Sequence, residues 1–229
     1  MLRLEPFDQH REDVFFENLQ SETMPKIREF RTSNSPGLTT RLLHAKRQDG
    51  RPAFNFMDLR RLSMSLILPQ DQQNILYLLQ NAKLLEELRL SVDAGQSLVG
   101  ILSTSARTLK VLDLAVFLHH YRVPQLAGLC EELEAMMGDN ILEALFFEFH
   151  VTVGHTTEDF IGSIIRKVEN ILVKPGWSAL RQVSFKFTPT HRGVGEELSE
   201  ALQSLPDKYL SHLSKLESVT FNFSVSVVV

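Results

Sequence analysis

Residues 84–92 read LLEELRLSV. Leu85, Leu88, Leu90 and Val92 are apolar, and Glu86, Glu87, Arg89 and Ser91 are polar. From Leu88 onward the two kinds alternate, which is the pattern of a strand with one wet face. A helical pattern lies on either side, so the architecture turns on whether the stretch occurs once or recurs.

It recurs, as L-x-x-L-x-L-x-Φ with Φ apolar. The copies are Leu59, Leu62, Met64 and Leu66; Leu85, Leu88, Leu90 and Val92; and Leu109, Leu112, Leu114 and Val116. They continue with Leu142, Leu145, Phe147 and Phe149; Leu180, Val183, Phe185 and Phe187; and Leu216, Val219, Phe221 and Phe223. A weaker copy, Ile27, Phe30 and Thr32, precedes them. From Ile27 the offsets between copies are 32, 26, 24, 33, 38 and 36 residues.

Amphipathic helical patterns fill the intervals. DQQNILYLLQNAKLL places Ile75, Leu78, Leu79 and Ala82 on one face, and AGQSLVGILSTSA is a shorter version. PQLAGLCEELEAMM starts at Pro124, suited to a first helical turn, and carries Leu126, Leu129, Cys130, Leu133 and Met137 at helical spacing. TTEDFIGSIIRKVENILV opens with Thr156 and Asp159 at capping-box spacing and buries Phe160, Ile164, Ile165, Val168 and Leu172. GEELSEALQSL and DKYLSHL fill the last interval, with a break at Pro206.

A strand-helix unit at this period predicts an α/β solenoid of six or seven irregular repeats over residues 26–229. Each strand runs parallel to the one before, its apolar positions against the helices and its other positions on a concave face. A parallel sheet covered on both faces reads as continuous apolar runs, so a doubly wound sheet fits these strands less well. Residues 1–25 are expected to form a helical N-terminal cap.

The chain has 229 residues, 43% of them apolar, and a net charge of −4. That is enough for a sizeable core, and gross charge gives no reason to expect nucleic acid. Residues 71–150 hold 5 basic and 11 acidic side chains, a solvated acidic middle. The one cysteine, Cys130, excludes an intrachain disulfide and suits a reducing compartment. The first residues, MLRLEPFDQHREDVFF, are too charged for a secretory signal, and no apolar run approaches the ~18 residues of a membrane span. The expected location is therefore cytoplasmic or nuclear, with no membrane and no nucleic-acid partner.

The six copies of L-x-x-L-x-L resemble the leucine-rich repeat family over roughly residues 24–229. Two features depart from it. The Asn or Cys that follows the strand is replaced by Ile67, Asp93, Phe117, His150, Thr188 and Ser224, and the spacing is irregular. Long repeats with helices on the convex side, in phrases such as MPKIREFR and LKVLDLAV, are most similar to the repeat half of F-box leucine-rich repeat proteins of the fungal type. That resemblance implies a non-catalytic substrate receptor that recruits a protein ligand to a cullin-RING ubiquitin ligase. The F-box motif is not evident: EDVFFENLQSETMPKI is too short and lacks an L-P-x-E-I-like opening. The expectation is a receptor fragment whose F-box lies upstream and meets the ligase adaptor, or a stand-alone scaffold. The ending VTFNFSVSVVV offers no polar cap, so a missing segment, a second copy in a homodimer or another protein is expected to cover that edge.

The expected concave positions include Arg61, Glu87, Arg89, Asp113, Phe146, Glu148, Lys186 and Asn222, among smaller residues from Ser63 to Ser218 and Thr220. Phe146 stands out, because an aromatic on an exposed strand face suits an anchor for a partner; cover by a neighbouring loop is the alternative. No cofactor or metal is expected. His119 and His120, and His150 and His155, sit in loops after neighbouring strands but lack H-E-x-x-H spacing. An enzyme reading would use Asp113, His119 and His150, yet no nucleophile is paired with them. GVGEEL lacks a P-loop lysine, Cys130 reads as core, and Trp177 reads as packing where a helix returns to its strand.

Overall fold

The structure, a computed structural model, describes residues 2–3, 26–32, 36–47, 49–118, 128–151, 158–189 and 196–226. It is α/β. Its strands are β1 Leu2–Arg3, β2 Glu29–Arg31, β3 Arg61–Leu66, β4 Glu87–Asp93, β5 Val111–Leu118, β6 Ala144–Val151, β7 Gln182–Pro189 and β8 Thr220–Val225. They form one sheet in which every pairing is parallel and the order across the sheet is the order along the chain. β1 is a two-residue stub; the other seven strands carry the face. The helices are α1 Pro36–Leu43, α2 Pro69–Asn81, α3 Leu129–Met136, α4 Glu158–Leu172, α5 Glu196–Gln203 and α6 Leu205–Tyr209, with short 3-10 turns at Ser103–Ser105 and Leu213–Lys215.

Alternation along each strand decides which side the helices take. In β3, β5, β6 and β7 every second residue is buried and those between are not. The buried set packs with Ile75, Leu78 and Leu79 of α2, Leu133 of α3 and Ile165 and Val168 of α4 in one cluster. Its rungs run across the sheet. One is Phe30, Leu62, Leu88, Leu112, Leu145, Val183 and Phe221. The core changes character along the array. β3 to β5 supply Leu, Met and Val, and β6 to β8 supply phenylalanines. Phe147 stacks on Phe185 and Phe149 on Phe187, both at 5.0 Å between ring centres, and Phe223 follows Phe187 at 5.5 Å.

Strands β3 to β7 enter the sheet by the same device. The carbonyl of Arg28 accepts from Arg60 N and Arg61 N, that of Arg60 from Glu86 N and Glu87 N, and that of Glu86 from Lys110 N and Val111 N. Lys110 and Glu143 repeat this for the next two strands. These bonds fix the register whatever the length of the intervening segment.

Two expectations change. The sixth copy was placed two residues early: Val183 pairs with Phe221, Phe185 with Phe223 and Phe187 with Val225. A slip of two leaves every side chain on its own face, so alternation cannot detect it. The segment AGQSLVGILSTSA forms a 3-10 turn instead of a short α-helix, because Gly95 and Gly100 take positive φ of 113° and 78°. The last interval holds two helices as expected, α5 and α6, with the break at Ser204 and Pro206 in the first turn of α6. Leu2–Arg3 pair with β2 as a short strand, and residues 4–25 of the expected N-terminal cap lie outside the described residues. Pro124, Leu126 and Thr156 also lie outside them. α3 begins at Leu129, after Gly128 at φ 84°.

The missing Asn has a structural account. Strands β4 to β7 run on to or past its slot: Asp93 ends β4, and Phe117, His150 and Thr188 lie within β5, β6 and β7. The parallel ladder pairs Asp93 with Phe117, Phe117 with His150 and His150 with Thr188. Backbone that an Asn side chain would satisfy at a turn is here strand backbone.

Candidate functional site

The face turned away from the helices is a grid of strand rungs. One rung holds Glu29, Arg61, Glu87, Val111, Ala144, Gln182 and Thr220. The next holds Arg31, Ser63, Arg89, Asp113, Phe146, Ser184 and Asn222. A third holds Ser65, Ser91, Ala115, Glu148, Lys186 and Ser224. All eight expected positions, Arg61, Glu87, Arg89, Asp113, Phe146, Glu148, Lys186 and Asn222, therefore share one face. Ser218 precedes β8, and Ser224 takes the rung beside Lys186.

Charge on this face falls into two groups. In the first, Arg31 contacts Glu29 at 2.6 Å, Arg61 Nε lies 3.3 Å from Glu87 Oε2, and Arg89 lies 2.6 Å from Glu87 Oε1. Arg89 Nε also stands 3.9 Å from Asp113 Oδ2. In the second, Lys186 Nζ donates to Glu148 Oε1 at 2.8 Å, Thr188 Oγ1 donates to the same oxygen at 3.2 Å, and His150 Nε2 is 3.7 Å away. Between the groups lie Val111, Ala115, Ala144 and Phe146, none of them charged. Phe146 is half-buried, with Asp113 and Ser184 as its rung neighbours.

The two groups treat their acids differently. Burial pushes the Asp113 carboxyl up; Glu148 and Glu87 add to this, and Arg89 opposes it without prevailing. Burial also pushes on Glu148, but the hydrogen bond and charge of Lys186, with His150 and Thr188, hold it below the usual carboxylate range.

No family model matches the chain, and no curated protein does. The site therefore stands on its own geometry.

Asp113 and His150 do not meet as an acid-base pair. Asp113 is paired with Arg89, and the His150 ring stacks on Phe117 at 4.4 Å and 6°. His119, His120 and His155 lie outside the described residues. Among the described residues no group of three or more His, Cys, Asp or Glu is placed to hold a metal ion. None of the described helices is long and apolar enough to cross a membrane. Cys130 is half-buried, and burial pushes its thiol up. Trp177 is buried and donates Nε1–H to Ile171 O at 3.1 Å, which ties the end of α4 to the turn before β7.

Sequence reasoning missed five members of the face: Glu29, Arg31, Asp93, Phe117 and His150. Glu29 and Arg31 belong to β2, whose copy was too weak to carry site residues. The Phe117–His150 stack sits where the repeat pattern expects a turn. Asp93 on that rung has a buried Oδ1 without a hydrogen-bond partner. Strand length was the missing signal: alternation continues through Phe117, Leu118, His150 and Val151.

Proposed function

We propose that the chain is a non-catalytic protein-recognition module: a leucine-rich-repeat solenoid whose strands line a concave face, resembling the repeat half of F-box leucine-rich repeat proteins. One observation carries the reading. Strands laid down in chain order, all parallel and buried on one side only, leave a continuous second face seven strands wide that no described helix covers. Such a face offers a partner side chains from every unit, with positions set by the ladder rather than by loops. Phe146, near its centre and flanked by two groups of ion pairs, suits the anchor-and-rim arrangement of protein interfaces. In this reading the protein acts in the cytoplasm or nucleus and presents its ligand to a cullin-RING ligase when an F-box is joined upstream.

The test is affinity capture from a source lysate, with mass spectrometry, for wild type and Phe146→Ala and with any upstream coding sequence restored. Retention of a ligand by wild type, weakened by more than ~2 kcal/mol in the variant, supports the reading. Cullin and its adaptor are expected with the longer chain. The same proteins held equally by both variants move recognition off this face.

A second reading is a dimerising scaffold. In β8 the inward side chains Phe221, Phe223 and Val225 are only half-buried, and among the described residues β8 is an edge strand. Sedimentation at several concentrations distinguishes a dimer from a monomer.

A further inference from the structure

The ion pairs on β2 to β5 are layered by height. The Arg31, Arg61 and Arg89 side chains are 48%, 61% and 53% exposed, and their acids Glu29, Glu87 and Asp113 only 15%, 21% and 33%. Each cation is more exposed than the acid it pairs with, and Arg61 and Arg89 share Glu87. An approaching molecule therefore meets guanidinium first, although the group is nearly neutral in sum. The three arginines rise from three neighbouring strands, β2, β3 and β4, which step by about 5 Å, with Arg31 and Arg89 on one rung and Arg61 between them on the neighbouring rung. The acids beneath hold the long side chains in place, which reduces the ordering cost of a later contact. Exposed pairs of this kind are weak, so a partner carboxylate can share or replace the acid, and the planar fork of arginine fits a carboxylate through two bonds. Beside this staggered trio lies the uncharged ground of Val111, Ala144 and Phe146.

We propose that the face docks an acidic, extended segment of a protein partner, which crosses β2, β3 and β4 with its carboxylates on Arg31, Arg61 and Arg89 and sets an apolar side chain beside Phe146. The inference rests on the recognition reading above and names the chemistry of the ligand. A protein segment is favoured over nucleic acid because the chain carries a net charge of −4, which repels a long polyanion, and three guanidiniums match a short run of carboxylates.

The probe is a fluorescein-labelled peptide of glutamates around a central Leu-Phe pair, followed by anisotropy at low salt. Its glutamine counterpart and a thymidylate oligomer of equal length serve as comparisons. The variants are the triple R31Q/R61Q/R89Q, the single R89Q and, as a control, R107Q, whose partner Asp139 belongs to a separate exposed pair. Melting curves establish that each is folded. The glutamate peptide is expected to bind wild type and R107Q alike, at least about tenfold more weakly to the triple variant and about threefold more weakly to R89Q. Its binding should weaken with added salt. Equal binding by the glutamine peptide, unchanged binding by both arginine variants, or thymidylate binding as tightly as the glutamate peptide overturns the proposal. Should Phe146→Ala release a captured partner while R89Q and the triple variant retain it, recognition by this face stands and the acidic chemistry falls. Should none of them affect capture, both fall.

Discussion

At Asp113, position on the sheet sets chemistry that the residue type alone does not show. The fold raises its carboxyl above the unfolded value, with burial the main cause. Its contribution to stability is therefore fully present below the unfolded pKa and lost as pH rises through the folded one. At neutral pH the ionised side chain is one the fold disfavours in spite of Arg89. Asp113→Asn should then melt higher than wild type at pH 7, and the difference should vanish below about pH 4, where both forms are neutral. A lower melting temperature at pH 7 would mean that the pair with Arg89 outweighs burial. Cys130 gives a second check. Burial pushes its thiol up, and Glu131 adds to this, so alkylation by iodoacetamide at pH 7.5 should be much slower than that of a free cysteine peptide. A rate equal to the peptide's would place the thiol in open water. That Cys130 belongs with the helix's inward side was legible from its spacing to Leu129 and Leu133. The raised carboxyl of Asp113 was not, because it depends on burial in the folded sheet, to which Glu148 and Glu87 from other strands add.

At the scale of elements, helices and turns are tied by buried carboxylates that a sequence reader assigns to solvent. Asp71 of α2 accepts from Ile67 N and Leu68 N at 3.1 and 2.9 Å. Glu132 of α3 reaches back to the preceding interval and accepts from Gly100 N, Ser103 N and Ser103 Oγ at 2.6, 2.9 and 2.9 Å. Glu169 of α4 reaches forward and accepts from His212 N and Leu213 N at 2.8 and 3.1 Å. Each acid thus satisfies the backbone of an irregular turn where a longer helix would have satisfied itself. Glu132→Ala leaves two backbone N–H groups without a partner and should cost about 2–4 kcal/mol in urea unfolding; a loss under about 0.5 kcal/mol would show that water replaces the carboxylate. Gly162 on α4 makes a different kind of contact. A Cβ there would run into the Tyr209 ring of α6, over which Arg166 also lies at 4.9 Å. Gly162→Ala should destabilise by about 1–3 kcal/mol despite alanine's better helix propensity. The apolar face of α2 was legible because period 3.6 is local, and so were Ile165, Val168 and Leu172 of α4, whereas its buried Ile161 and Ile171 were not read and Ile164 is only half-buried. The clamps were not, since a glutamate between apolar residues in EELEAMM has the same spelling whether it meets water or a distant turn.

Over the whole molecule, chain order and sheet order coincide, so each strand's ladder depends only on its two neighbours. This much was legible: alternation located β3 to β7 and put Arg61, Glu87, Arg89, Asp113, Phe146, Glu148 and Lys186 on the side turned away from the helices. It could not place β8 along its own axis, because Val219, Phe221 and Phe223 satisfy the pattern in either register. Only the turn at Leu213–Lys215 and the bond from Thr220 N to Arg181 O decide it. Nearest-neighbour dependence also predicts how the fold opens. β5, β6 and β7 share eight-residue ladders, and their inward side chains are fully buried, with Phe147, Phe149, Phe185 and Phe187 stacked in pairs. β2 has three residues, and the inward side of β8 is half-exposed. Amide exchange at pH 7 should accordingly be slowest in β5–β7, faster in β3 and β4, and fastest in β2 and β8. Phe147→Ala, which empties the middle of the aromatic rungs at a cost of about 3–5 kcal/mol, should accelerate β5–β7 more than β3. Uniform acceleration of all strands would instead mean that the sheet opens as one cooperative unit, with coupling carried by the helix layer beyond adjacent strands.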